Sequence, residues 1–290
     1  MTSLPIRELP VALTEVPTAE WAAAIVARHS ARTFTGREAN PALLEPLERF
    51  CGGLPGGEVA RVALVRGVPD ALFTGIVGSY GRVVGATSAL VMIGTETEPA
   101  AQECVGYLGE AVILEATSLG LGTCWVGGYF DRPLATELVA LSSRERVLAV
   151  SPVGDALARP RAGERVLKRF VGAHKRKPVE EIALGFDLER WPAWAAEGVR
   201  LARAAPSAAN RQPWRFEFEP SGAVTVSAVT KGPEGNVSRR LDCGIAMLHF
   251  EVGARVIGAA GHWELLEAPR VARYHVTIAG GEPPRFSATP

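Results

Sequence analysis

A chain of 290 residues that is 47% hydrophobic and 21% charged can bury a substantial core, in one large α/β domain or in two ordinary ones. Its formal net charge of zero argues against a nucleic-acid or membrane-surface protein at the level of the whole chain. Four scattered cysteines (Cys51, Cys104, Cys124 and Cys243) contain no C-x-x-C pair, which excludes a disulfide scaffold and suits a reducing, cytoplasmic setting.

The opening MTSLPIRELPVALTE carries acids and prolines without an apolar core, so it is not expected to be a signal peptide. No apolar run approaches the ~18 residues of a membrane span, and Glu110 and Glu115 interrupt the most hydrophobic stretch. Thr18 opens a helix with Glu20 in its first turn and Trp21 and Ile25 on one face; it runs out near RHSARTF. A second helix starts at Asn40–Pro41, places Leu43, Leu44, Leu47 and Phe50 at amphipathic spacing, and stops at Gly52–Gly53.

VARVALV (59–65) and TSALVMIG (87–94) read as strands. Residues 101–119 read as a long buried helix ended by Gly120, and TCWVGG and RVLAVSPVG as strands after it. A basic link holds three of the four lysines, Lys168, Lys175 and Lys177. Beyond it come a helix over 191–204, strands at WRFEF and AVTVSAV, a helix over 243–260 and a strand over 274–280. Each half thus runs helix, strands, long buried helix, strand. Ala116, Gly120 and Trp125 have the spacing of Ala254, Gly258 and Trp263, which favours a duplicated chain and a mixed-sheet α+β architecture.

Several chemistries lack their residues. There is no H-E-x-x-H, no ligand-like pairing among the five histidines, no G-x-S-x-G and no G-x-x-x-x-G-K-[ST]. GLGTCWVGG begins like a dinucleotide fingerprint, but Trp125 stands at the third glycine and the segment leads into a strand.

Four segments remain. RHSARTF (28–34) sets Arg28, Ser30 and Arg32 at alternate positions, which face one way on an extended backbone and suit an anion. GLGTCWVGG (120–128) has glycines where a planar ligand can come close to the backbone. HKRKPVEE (174–181) is a basic patch. APSAANRQPWRF (205–216) offers short polar side chains that donate and accept hydrogen bonds. Taken singly, each also reads as an ordinary surface pair, tight turn, solvated face or turn.

Together they resemble the nitroreductase family, whose members bind FMN: R-x-S-x-R-x-F after the first helix, a long helix ending L-G-L-G-x-x-W, a basic K/R-x-P-x-E, and P-S-x-x-N-x-Q-P-W-x-F after a later helix. The resemblance covers most of residues 20–260. In ordinary members the P-S-x-x-N motif follows soon after R-x-S-x-R; here FCGGLPGGEVARVALV stands in that place and the motif comes only at 206–216. The chain therefore resembles a variant branch in which two family-like halves, 1–178 and 179–290, are fused. GTCWVGGYF and LDCGIAMLHF are similar to that branch as well.

The resemblance implies a mixed or antiparallel sheet flanked by helices, and an internal pseudo-dimer that can be a monomer and binds one FMN per chain. It implies that Arg28 and Ser30 hold the phosphate or ribityl end, with Lys175 and Arg176 adding charge, and that His29 contacts the phosphate through its backbone. Arg32 would lie near the N1–O2 edge of the ring, with Pro206, Ser207 and Asn210 on its other side. The backbone of Val126 and Gly127 would approach N5 and O4, with Gly122 and Gly128 keeping that approach open. Tyr80 and Arg82 would border the substrate face, and Cys124 would be a buried, inert thiol. The chemistry would be on the flavin, with no catalytic side chain: NADH or NADPH as reductant, ping-pong transfer to a nitro-aromatic, quinone or similar small-molecule acceptor, and neither nucleic acid nor membrane as partner. Two other expectations stand beside it, a flavin-holding protein with little turnover and a flavin-free small-molecule binder.

Overall fold

The computed structural model describes residues 8–74, 82–157, 175–187, 191–232 and 234–277. Helix α1 (Thr18–Ala27) buries Trp21, Ala24 and Ile25, the one-face spacing that its sequence carries. Helix α2 (Pro41–Gly52) begins where the Asn40 side chain accepts a hydrogen bond from Ala42 N, with proline in its first turn.

Strands β1 (Ala60–Arg66), β2 (Ser88–Thr95), β3 (Gly122–Thr123) and β4 (Glu145–Gly154) form an antiparallel sheet in the order β1-β2-β4-β3. Every residue of β2 is buried, because the sheet is covered on both faces. Leu90 and Met92 join the main core, whereas Ala89, Val91 and Ile93 join a smaller cluster on the other face with Phe34, Leu72 and Phe73.

Helix α3 (Ala101–Ser118) lies on that sheet, and α4 (Arg132–Glu137) precedes β4. The second sheet has the order β5-β6-β7-β9-β8: β5 (Ala183–Leu184), β6 (Trp214–Phe218), β7 (Val224–Ala228), β8 (Ala260–Leu265) and β9 (Arg270–Thr277). It is antiparallel except for the parallel β5–β6 pair. The short helix α5 (Val179–Ile182) and α6 (Ala193–Ala202) precede β6, and α7 (Arg239–Val256) lies between β7 and β8. The result is a mixed α+β architecture with two sheets and helices against both.

The centre of the molecule is the α3–α7 pair. Gly106 and Gly244 let the two backbones meet, since a Cβ on either would overlap a main-chain carbonyl of the other helix. One core runs across this pair into both sheets and includes Trp21, Tyr107, Trp214, Phe250, Trp263 and Tyr274. Among the described residues, no helix is long and apolar enough to cross a membrane.

Three expected elements differ. TCWVGG is strand only at Thr123, the last residue of β3, with an isolated bridge at Val126. Cys124 N donates to the Ser151 hydroxyl instead of a strand carbonyl, which breaks the ladder. The helix expected over 243–260 runs from Arg239 to Val256, because Ser238 caps it by accepting from Arg240 N. At its end Gly258 takes φ 80°, and Ala260–Leu265 forms β8. β9 likewise begins at Arg270, four residues ahead of the expected 274; residues 278–280 of that expectation lie outside the described residues.

Candidate functional site

After α1 the chain runs extended along the edge of the first sheet. Ala31 N donates to Thr123 O at 2.9 Å and Phe34 N to Val84 O at 2.9 Å. The two-residue alternation buries Ala31 and Thr33 on one side and turns Arg28, Ser30 and Arg32 into a cavity of about 550 Å³. His29 points away and is exposed.

Val126, Gly127, Gly128 and Tyr129 make a second wall, beside Cys124 and Trp125. Arg176 and residues 206–211 make a third, and Glu234–Val237 with the first turns of α7 a fourth. Phe73 and Val83 complete the lining. Of the residues singled out in the sequence, Arg28, Ser30, Arg32, Val126, Gly127, Gly128, Arg176, Pro206, Ser207 and Asn210 are thus brought to one cavity.

Three others lie elsewhere. His29 and Lys175 are exposed, and Gly122 stands where β3 passes Ala156, whose Cβ would be 2.5 Å from an added Cβ. Arg82 is exposed and off the lining, and Tyr80 lies outside the described residues. Cys124 is 1% exposed.

The 205–216 stretch has an unusual backbone. Ala209, Asn210 and Gln212 all take positive φ (50°, 53° and 46°), a conformation that costs energy without glycine and needs over-determination. The surroundings provide it. Ser207 Oγ accepts from Gln212 N at 2.9 Å, and Asp242 accepts from Ala208 N at 3.1 Å and from Arg211 Nε at 2.7 Å. Arg211 also donates to the carbonyls of Glu234 and Val237, tying this loop to the fourth wall.

The polar side chains of the motif hold the basic segment. Asn210 Oδ1 accepts from Arg176 Nη1 at 2.8 Å, and Asn210 Nδ2 donates to Lys175 O at 2.8 Å. Gln212, 2% exposed, donates to Lys175 O and accepts from Lys177 N. Arg176 is thereby aimed into the cavity, where its second nitrogen donates to Ala204 O. Lys175 contributes its carbonyl to this arrangement; its charge is outside.

Cationic side chains gather on one side of the cavity. Arg28, Arg32 and Arg176 converge on the cavity. Burial, then Arg28 and Arg203, lower the Arg176 pKa from its usual value. Arg28 has a side chain only 6% exposed, and its Nε and Nη1 find no hydrogen-bond acceptor among the described residues. Glu110 stands 3.8 Å from its Nε, an ion-pair distance but not a hydrogen bond. On the opposite wall burial raises Asp242 to about 6 against the opposing pull of Arg211.

Two parts of the site escaped the sequence reading. The Arg211–Asp242 tether has no signal beyond an acid in the first turn of α7. The buried Glu110 had one, since an acid in the middle of a largely apolar helix must have a partner.

Two sheets around a central helix pair thus frame a cleft lined by Arg28, Arg32 and Arg176. A structure described as a putative nitroreductase from Thermotoga maritima MSB8 matches with TM-score 0.59 at 20% identity, covering 90% of this chain and 96% of that one. The sequence model described as "Putative TM nitroreductase" matches residues 20–254, and the chain belongs to that family, within the general class of oxidoreductases. Two partial likenesses have TM-scores of 0.39. A nitroreductase family protein from Clostridium difficile 630 is 19% identical over 58% of this chain and 98% of its own. A nitroreductase with bound FMN from Bacteroides fragilis NCTC 9343 is 17% identical over 51% of this chain and 95% of its own. No curated protein matches the sequence.

Proposed function

We propose that the chain is an FMN-dependent NAD(P)H oxidoreductase of the nitroreductase type that binds one flavin in this cleft. The observation that carries the reading is Arg28: a buried guanidinium with Nε and Nη1 lacking hydrogen-bond acceptors lines a cavity that Arg32 and Arg176 also line. Leaving such donors unmade is expensive, and although both atoms are covered as placed, a small rotation of the guanidinium toward the cavity would offer them to an anionic phosphate. The residues present therefore fit FMN.

Arg28 and Ser30 would hold the phosphate or ribityl end, with Arg176 aimed at the same group by Asn210. Arg32 would favour negative charge at the far edge of the ring. Pro206 and Ser207 would shape the wall facing it, and the Val126–Gly128 backbone allows close approach of a planar group. Bound FMN would supply reversible hydride and electron transfer between NADH or NADPH and a small acceptor such as a nitro-aromatic or quinone. The chain itself positions, excludes water and tunes charge; no side chain acts as nucleophile or general acid.

The domain reading belongs with this proposal. Residues 1–178 and 179–290 would derive from two family-like halves, so that the cleft is completed within one chain. Two features support it: the reciprocal Gly106 and Gly244 contacts, and the matched helix ends, where Leu121 N donates to Ala116 O and Ala259 N to Ala254 O.

A second reading, a flavin-holding protein with little turnover, is favoured by one contact. Val237 lies so close over Gly127 that an added Cβ there would be 2.7 Å from its Cγ2, which narrows that face of the cleft. The absorbance spectrum of purified protein before and after anaerobic NAD(P)H separates the readings. Bleaching of a bound flavin within seconds supports turnover, and a lasting yellow colour supports the second reading. A colourless protein that ignores added FMN, or one that binds two per chain, defeats the proposal.

A further inference from the structure

Behind Arg28 lies a polar group in the middle of the main core. Glu110 of α3 and His249 of α7 are both fully buried, in contact through Oε1 and Nε2 at 2.8 Å. The other carboxylate oxygen accepts from Trp125 Nε1 at 2.6 Å, and Trp125 lines the cleft. The other imidazole nitrogen, Nδ1, is 3.2 Å from Leu201 O.

These distances limit where the protons can be. A carbonyl oxygen only accepts, so Nδ1 must carry a hydrogen. In a neutral ring Nε2 then has a lone pair, and it faces a carboxylate oxygen at hydrogen-bond distance. Two acceptors do not sit at 2.8 Å in a dry core without a proton between them. The pair therefore holds one proton beyond those of an ionised glutamate and a neutral histidine. Whether that proton sits on carbon-bound oxygen or on the ring, the pair is neutral as a unit.

The consequence falls on Arg28. An ionised Glu110 with a neutral His249 would cancel the guanidinium charge 3.8 Å away. With the shared proton, Arg28, Glu110 and His249 together keep one positive charge. Nearby charges do not remove it. Arg176 adds to it, and the other ionisable groups on α3 and α7 have partners elsewhere, Glu103 with Arg240, Glu251 with Arg255, Asp242 with Arg211, Arg239 with Glu234, and Glu115 accepting from Trp21 Nε1.

We propose that Glu110 and His249 form a proton-holding pair that keeps the charge of Arg28 available to an anion in the cleft, and so act as positioning residues for cofactor binding. This rests on the reading that the cleft takes FMN. A glutamine at 110 imitates the protonated pair, since its amide can donate to His249 Nε2 while its oxygen accepts from Trp125. A glutamine at 249 does the reverse: it donates to Glu110, supplies no shared proton and leaves the carboxylate ionised beside Arg28.

Two measurements test it. In flavin-free protein labelled with ¹⁵N-histidine, His249 is expected to show a protonated Nδ1, and a neutral ring with its only proton on Nε2 overturns the proposal. In FMN titrations at neutral pH followed by flavin fluorescence, Glu110→Gln is expected to bind within about threefold of the native chain and His249→Gln about tenfold more weakly. The double variant is expected to recover to within about threefold, because removing the carboxylate charge restores what the lost proton withheld. A Glu110→Gln protein that loses about tenfold, or a double variant no better than His249→Gln, overturns it; if His249→Gln does not fold, the Glu110→Gln result decides. Failure of the native chain to bind FMN would defeat the proposed function, while the histidine spectrum would still decide the state of the pair.

Discussion

Gly106 and Gly244 stand in reciprocal contact: a Cβ on Gly106 would overlap the carbonyl oxygen of Leu241, three residues before Gly244, and one on Gly244 would overlap the carbonyl of Glu103, three residues before Gly106. The neighbour is backbone in both cases, so no rotamer change relieves the clash and the helices themselves must part. Gly106→Ala and Gly244→Ala are each expected to destabilise the fold by about 3 kcal/mol despite the better helix propensity of alanine. Gly52→Ala is the control, since nothing lies within 4 Å of its added Cβ and it carries no positive φ; it should be neutral or slightly stabilising. Urea midpoints of the three variants check this.

Arg28 predicts opposite signs for stability and binding. Its Nε and Nη1 lack hydrogen-bond acceptors in a nearly dry environment, so Arg28→Met should raise the melting temperature of the flavin-free protein or leave it unchanged. The same variant should weaken FMN binding by about 10- to 100-fold, the worth of a charge-assisted hydrogen bond. A variant that loses stability and keeps its affinity would show that Arg28 serves the fold.

Much of this was legible from particular residues. The period-two alternation of Arg28, Ser30 and Arg32 has the same meaning in the sequence and in the structure, because an extended backbone leaves no other arrangement. Asn40–Pro41 marked a helix start for local reasons, a cap and a proline at the first turn, whereas the helix at Thr18 begins without a side-chain cap, its hydroxyl donating to Val16 O. The start of α7 was missed because its capping serine precedes a polar turn, SRRLD, that hides the apolar period until Leu241. The roles of Asn210 and Gln212 toward the 175–177 segment were not legible either, since their partners are more than 30 residues away and no local pattern encodes that pairing.

Asp242 gives a pH dependence with a definite sign. Burial raises its folded-state pKa to about 6, above the ordinary 3.8, so the folded chain holds a proton there that the unfolded chain has released. Its contribution is most favourable below about pH 4 and is lost as pH rises to about 6. Native protein is therefore expected to lose about 3 kcal/mol relative to Asp242→Asn between these limits, with a flat difference above them. Urea unfolding of both proteins across that range measures it, and a constant difference would show that Arg211 holds the carboxylate ionised throughout.

Asn210 and Arg176 should act as one unit. The Asn210 amide aims the guanidinium, so Asn210→Ala and Arg176→Ala should weaken FMN binding by similar factors. The double variant should lose little more than either alone, with a coupling of about 1 kcal/mol or more. Additive losses would mean that Asn210 reaches the cofactor independently of Arg176.

Val237 decides how open the ring face is. It lies over Gly127, the place where the proposed function would bring a nicotinamide, and Val237→Ala removes two methyl groups there. If the cleft already admits NAD(P)H, Val237→Ala should change the anaerobic rate of flavin reduction by less than about threefold, because the extra room adds no interaction made only in the transition state. An increase of about tenfold or more would show that the valine closes the face, and would favour the flavin-holding reading over the oxidoreductase. Stopped-flow reduction with NADH and with NADPH supplies the rates, and melting temperatures of the two proteins guard against a change in the fold.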